Sequence, residues 1–186
     1  MRHKTLISRN LLQIFMRQNK LEETVAFLYF IGHKKNLQNF YAFCKKYNYL
    51  LHEPTSNKIL FHGSTKIITA LEPSTSVNQK GRMEQTAFVY ATDDPNYAIF
   101  LALLNIKENG GASVYAGSHL TKLSISLGFV NGSSKLKDGH VHIIDSSGFK
   151  KTKNREYKSN KKIEVLFSIP VSPENLTVPI YLQIKP

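Results

Sequence analysis

A few side chains in this 186-residue sequence stand where strands would hold them for chemistry. The apolar run KILF ends directly on His62, with Gly63 and Ser64 behind it. A glycine lets a ligand lie against the backbone because it has no Cβ, and an imidazole beside it can donate or accept a hydrogen bond; the same HGS is also an ordinary strand end. Tyr90 lies within AFVYATDD, Tyr97 follows in NYAIF, and Glu164 opens IEVLFSIPV. A carboxylate at the mouth of a strand is held more rigidly than one on a loop, which favours Glu164 over Glu156 in the preceding basic run. His140 and His142, two apart in GHVHII, put both rings on one face of a strand, where they could hold a metal or a phosphate. No third ligand accompanies them, so two surface histidines on a strand is the plainer interpretation.

The elements that would carry these residues change character along the chain. Up to about residue 52 the pattern is helical: Leu11, Ile14 and Phe15, then VAFLYFIG, then Leu37, Phe40, Tyr41, Cys44 and Tyr47 recur at helical spacing. Gly32 followed by His33, Lys34 and Lys35 reads as a helix stop with cations at the negative end of the dipole. HEPTSN then marks a boundary, after which β-branched and aromatic runs bounded by Gly, Pro, Asn or Ser predict strands over 58–61, 86–92, 120–127, 140–144, 163–171 and 178–184. One helix interrupts them, capped by the acids of DDP with a proline in its first turn and running through NYAIFLALLN. The segment 150–162, KKTKNREYKSNKK, reads as a basic polar loop. The expected architecture is α+β. A helical region over 1–52 packs on a mainly antiparallel sheet domain over 58–186, because its short helices bury too little to stand alone.

Composition bounds the rest. An apolar fraction of 41% with 20% charged residues is globular. A net charge of +12 favours a polyanion or an acidic, neutralising protein partner. The single cysteine, Cys44, excludes an intramolecular disulfide and a cysteine-built zinc site, and fits a reducing, cytoplasmic setting. The longest apolar run falls far short of a membrane span, and no signal-type segment follows the basic start.

FHGS, then VYATDDPNYAIF, then KIEVLFSIPVSPENL, in that order, resemble the diphtheria-toxin-like ADP-ribosyltransferases, the class that includes the poly(ADP-ribose) polymerases. The resemblance runs from Lys58 to the C-terminus. It implies a split, mainly antiparallel sheet with a helix after the second strand, and NAD as a substrate whose nicotinamide–ribose bond is broken for transfer of ADP-ribose to a protein or nucleic acid. It also implies that His62 contacts an adenosine ribose hydroxyl, that Gly63 offers its backbone to the nicotinamide carboxamide, that Ser64 belongs to the NAD-binding residues, and that Tyr90 and Tyr97 hold the nicotinamide ring, a flat cation suited to aromatic faces. Glu164 would then stabilise the oxocarbenium ion. No metal is implied. Where the polymerases carry a serine before the second tyrosine, this sequence has Asp94 and Pro95. An intracellular toxin or defence effector is one setting for such an enzyme. The alternatives are a non-catalytic nucleotide- or nucleic-acid-binding member of the fold, an NAD glycohydrolase, and an RNA 2′-phosphotransferase-like enzyme, whose HVH strand comes earlier in the chain. The 150–162 segment is the expected contact for a nucleic-acid acceptor.

Overall fold

Caps and breakers set the N-terminal helices. In the computed structural model, which describes residues 5–75, 86–104, 112–116, 121–126, 136–152 and 155–183, the Ser8 hydroxyl accepts from the Leu11 N–H at 3.2 Å and opens α1 (Arg9–Gln18). Helix α2 (Thr24–Ile31) stops at Gly32. Helix α3 (Lys34–Lys46) ends on Lys45 and Lys46, cations that complement the negative end of its dipole. The buried stripe of α1 is Leu11, Leu12, Phe15 and Met16, two i,i+4 pairs side by side, and it leaves Ile14 exposed. Cys44 is fully buried, and burial pushes its thiol up to about 12, so it packs as an apolar residue.

The strands follow the Pro- and Ser-rich boundary. In chain order they are β1 (Ile59–Ser64), β2 (Ala70–Leu71), β3 (Val89–Thr92), β4 (Ala112–Ala116), β5 (Thr121–Ser126), β6 (Gly139–Asp145), β7 (Lys150–Lys151), β8 (Glu156–Ser159), β9 (Ile163–Val171) and β10 (Ile180–Gln183), with helix α4 (Pro95–Leu103) after β3. The larger sheet has the order β2-β9-β6-β1-β3-β8-β7, antiparallel throughout; a smaller one has the order β10-β5-β4, with β10 and β5 parallel. The fold class is α+β. The predicted ends at 120, 127 and 184 lie outside the described residues, as does Asn105 at the end of the predicted helix.

The segment 150–162 is not the loop its charges suggest. It contains β7 and β8, paired to each other and, through β8, to β3; residues 153 and 154 lie outside the described residues. Its lysines hide the alternation that makes β8 a strand: Tyr157 and Ser159 are buried, and Glu156 and Lys158 are half-buried.

Alternation along β1 divides the core. Ile59 and Phe61 face α4 and the N-terminal helices, in one cluster with Phe15, Phe27, Phe40, Ile99, Val141 and Phe167. Phe40 meets Phe167 of β9 at 5.2 Å between ring centroids, so α3 and the sheet share their apolar contacts. Leu60 faces the other side, with Val89, Ala91, Ile144, Tyr157 and Val165. The two glycines under α4 permit its close approach. A Cβ on Gly63 would lie 2.0 Å from the Ala98 carbonyl oxygen, and one on Gly139 would lie 2.0 Å from that of Ala102.

Candidate functional site

Two neighbouring strands part company at the middle of the sheet. β1 pairs with β6 along its whole length, from Ile59↔Asp145 to Ser64↔His140, but meets β3 at the single register pair Phe61↔Thr92. Beyond that pair the His62 ring stands in the gap. Its Nδ1 lies 2.7 Å from the Tyr90 carbonyl oxygen, an acceptor that a continued ladder would have given to backbone. Burial lowers the His62 pKa, only partly offset by that bond, so the ring is neutral near pH 7. A carbonyl only accepts, so Nδ1 carries the proton and Nε2 is left as an acceptor.

The crevice is lined by Phe61, His62, Gly63, Tyr90, Ala91, Thr92, Tyr97, Leu101 and Glu156. The α4 helix delivers Tyr97: the Asp94 carboxylate accepts from the Asn96 N–H (2.9 Å) and the Tyr97 N–H (3.3 Å), with Pro95 at the first helical position. Burial, and then the Glu156 charge, push the Tyr97 phenol up to about 12. Tyr97 therefore stays protonated as a hydrogen-bond donor. Glu156 opens β8 directly opposite Thr92 of β3, and its Oε1 accepts from the Thr152 hydroxyl at 3.1 Å.

Arg155, the residue before Glu156, has a left-handed backbone (φ 62°), a conformation costly for a side-chain-bearing residue unless it is held. It is held by the DD pair of VYATDD. Nε donates to Asp93 Oδ1 and Nη1 to Asp94 Oδ2, both at 2.8 Å, while Nη2 donates to the Asp93 carbonyl at 3.1 Å. The Thr92 hydroxyl returns a bond to the Arg155 carbonyl at 2.9 Å. The Tyr157 hydroxyl and Lys58 Nζ also reach Asp93 Oδ2. Burial raises the Asp93 pKa, but Arg155, Tyr157 and Lys58 outweigh it and hold the carboxyl below the usual carboxylate range. The start of β8 is thus tied to the end of β3 on both sides of Glu156.

The structure brings together His62, Gly63, Tyr90 and Tyr97 of the residues singled out by sequence, and leaves two others elsewhere. Glu164 is exposed on β9, two strands from β1, opposite Ala70 of β2. Its groove is shared with His52, Asp145, Lys161 and Lys162. Among the described residues, the acid that lines the crevice is Glu156. Glu156 opens a strand as well, which the lysines around EYKS conceal in the sequence. Ser64 is not among the crevice residues: its hydroxyl accepts from the Lys66 N–H at 3.1 Å and closes the turn after β1. Gly63 does line the crevice, and it has a second reason to be glycine in the packing of α4.

On the sheet face opposite α4, His62, His142 and His140 stack in a row, with ring centroids 6.1 and 6.5 Å apart. His142 Nε2 donates to the Lys66 carbonyl (3.1 Å), so its Nδ1 accepts from the Ser168 hydroxyl (2.6 Å). Burial, with the neighbouring His62 next, lowers the His142 pKa to about 4. The rings stack rather than converge, and among the described residues no group of three or more His, Cys, Asp or Glu could hold a metal ion. No described helix is long and apolar enough to cross a membrane.

The crevice encloses about 60 Å³, room for a few waters. A dinucleotide needs several hundred. A ligand of that size would enter only if the side chains around the crevice parted. Neither a family model, nor a curated protein, nor a solved structure matches this chain.

Proposed function

We propose that the chain is an NAD-dependent ADP-ribosyltransferase working at the crevice between β1 and β3, with Glu156 in the acid's role that sequence gave to Glu164. The observation that carries this is positional. The adjacent strands β1, β3 and β8 contribute His62, Tyr90 and Glu156 in turn, and Tyr97 enters the same crevice from α4. That order supports the ADP-ribosyltransferase-like split sheet as the specific fold.

The proposed chemistry uses each group for what it can do. The two tyrosine rings offer faces to the pyridinium, and neutral His62 offers Nε2 as an acceptor for a ribose hydroxyl. The nicotinamide–ribose C–N bond breaks, its electron pair leaves with nicotinamide, and positive charge develops on the ribose. A carboxylate fixed by its neighbours stabilises that charge more than the ground state. The acceptor's nucleophile then bonds to the ribose carbon and loses its proton.

Nicotinamide release, followed under single-turnover conditions at saturating NAD, tests the assignment. Glu156→Gln should fold normally and lose roughly a hundredfold to a thousandfold in rate, while Glu164→Gln turns over like wild type. The reverse pattern would return the role to Glu164. A wild-type protein that binds NAD and releases no nicotinamide with any acceptor would replace this proposal with the non-catalytic, nucleotide-binding alternative.

A further inference from the structure

From Tyr90 of the crevice a row of side chains runs to the outer edge of the larger sheet, and of that row the proposed crevice chemistry uses Tyr90 alone. Tyr90 of β3 stands directly opposite Lys158 of β8, and Lys158 directly opposite Lys150 of β7. Directly opposed residues share a sheet face, so a half-buried tyrosine, a half-buried lysine and an exposed lysine form one line running from the crevice to the sheet edge. Phe88, two residues before Tyr90 and so on the same face, meets the Tyr90 ring edge-on at 6.2 Å. Lys158 Nζ lies 4.4 Å above the Phe88 ring. Glu156 is two residues from Lys158 on β8, about 7 Å along the strand.

As structure alone, this arrangement is unfavourable. Like charges directly opposite on neighbouring strands repel, and Lys150 and Lys158 form such a pair. Among the described residues neither has a carboxylate within ion-pair distance. The nearby acids Asp93 and Asp94 are committed to Arg155, and the Glu156 carboxylate accepts from Thr152. In a chain of +12 overall, Lys158 lies over an aromatic ring at the mouth of the proposed active site, and Lys150 continues the row to the sheet edge. Cations that follow a phosphate backbone next to aromatic faces that stack bases are the elements of a single-strand nucleic-acid surface. Paired bases in a duplex cannot present their faces to such rings.

We infer that the Phe88–Tyr90–Lys158–Lys150 row binds single-stranded nucleic acid and presents it as the acceptor to the crevice. The inference rests on the transferase proposal for its second half; binding itself does not require NAD. The surface is common to DNA and RNA, because phosphates and base faces belong to both.

Fluorescence anisotropy of end-labelled single-stranded DNA and RNA oligonucleotides, titrated with the full chain without NAD over a salt series, tests the surface. Binding should weaken with salt, and Lys150→Ala with Lys158→Ala should make the log-log slope shallower by about 1.4, since each phosphate contact on a single strand contributes about 0.7. Phe88→Leu should weaken binding by about tenfold or more with little change in slope, as expected for lost base stacking. Lys45→Ala with Lys46→Ala, removing equal charge from α3, should leave the slope alone. Slopes that do not distinguish the two lysine pairs would overturn the surface, as would a duplex binding as tightly as the single strand. Polyglutamate competing as well as the oligonucleotide would show an acidic protein partner instead and equally overturn it. Transfer of labelled ADP-ribose from NAD to the bound strand tests the acceptor role. Intact binding with nicotinamide release but no label on the strand refutes that role alone, whereas intact binding without nicotinamide release refutes the transferase proposal.

Discussion

Replacing Gly63 by alanine should damage the fold before it touches any chemistry. The added Cβ would lie 2.0 Å from the Ala98 carbonyl oxygen and 2.5 Å from the Ala102 nitrogen, both backbone atoms of α4 that no rotamer change can move. Reaching ordinary van der Waals separation at 3.4 Å requires the helix to withdraw by about 1.4 Å. Ala98, Ile99, Ala102 and Leu103 of α4 are all fully buried, so that withdrawal opens a gap along the whole helix–sheet contact. A radial gap of 0.5 to 1 Å already forfeits roughly a quarter to a half of each dispersion contact. The cost therefore belongs at or above about 3 kcal/mol, the upper end for overpacking, which for a chain this long lowers the melting temperature by roughly 6 to 12 °C. Thermal unfolding by circular dichroism is the assay. Gly32→Ala is the control, because Gly32 already has helical angles (φ −57°, ψ −20°) and its Cβ would meet the nearest atom at 3.1 Å. A Gly63→Ala protein melting within about 2 °C of wild type would refute the steric argument. Lost activity in this variant would by itself say nothing of a backbone contact to nicotinamide.

Arg155→Met should cost about 2 to 3 kcal/mol in urea unfolding, between the ranges for surface and buried pairs, because it takes the ion-pair partner from the Asp94 carboxylate, which is only 1% exposed. Arg155→Lys should recover part of that loss, and full stability in the methionine variant would refute the clasp. The His142 pKa is lower in the folded chain than in the unfolded one, so the unfolded chain takes up the proton first. Its contribution to stability is complete above pH 6.5 and is lost as the pH falls from 6.5 to about 4. Burial moves His62 and His140 in the same direction. Denaturant titrations at several pH values should show His142→Gln with a shallower decline over this window than wild type, and identical declines would refute the assignment.

Much of the local structure was written in the sequence because it depends on neighbours a few residues away. Asp94 and Pro95 are enough to start α4, and Gly32 is enough to stop α2. The apolar runs around His62, Val141 and Phe167 are strands in any α+β arrangement. Order and residue type were also enough to single out His62, Tyr90 and Tyr97, which the structure places at one crevice. Which acid joins them was not a local question. Glu156 and Glu164 are eight residues apart, each opens a strand, and each has basic neighbours. Only the strand order separates them, placing β8 against β3 and β9 two strands away on the far side of β1. The same holds for KKTKNREYKSNKK, whose lysines look like solvent-facing loop until Asp93 and Asp94 clasp Arg155 and β3 offers Glu156 and Lys158 a ladder. Caps and periodicity act through short-range sterics and hydrogen bonds. Sheet order is decided by burial and pairing among segments some sixty residues apart, and only the folded chain contains those contacts.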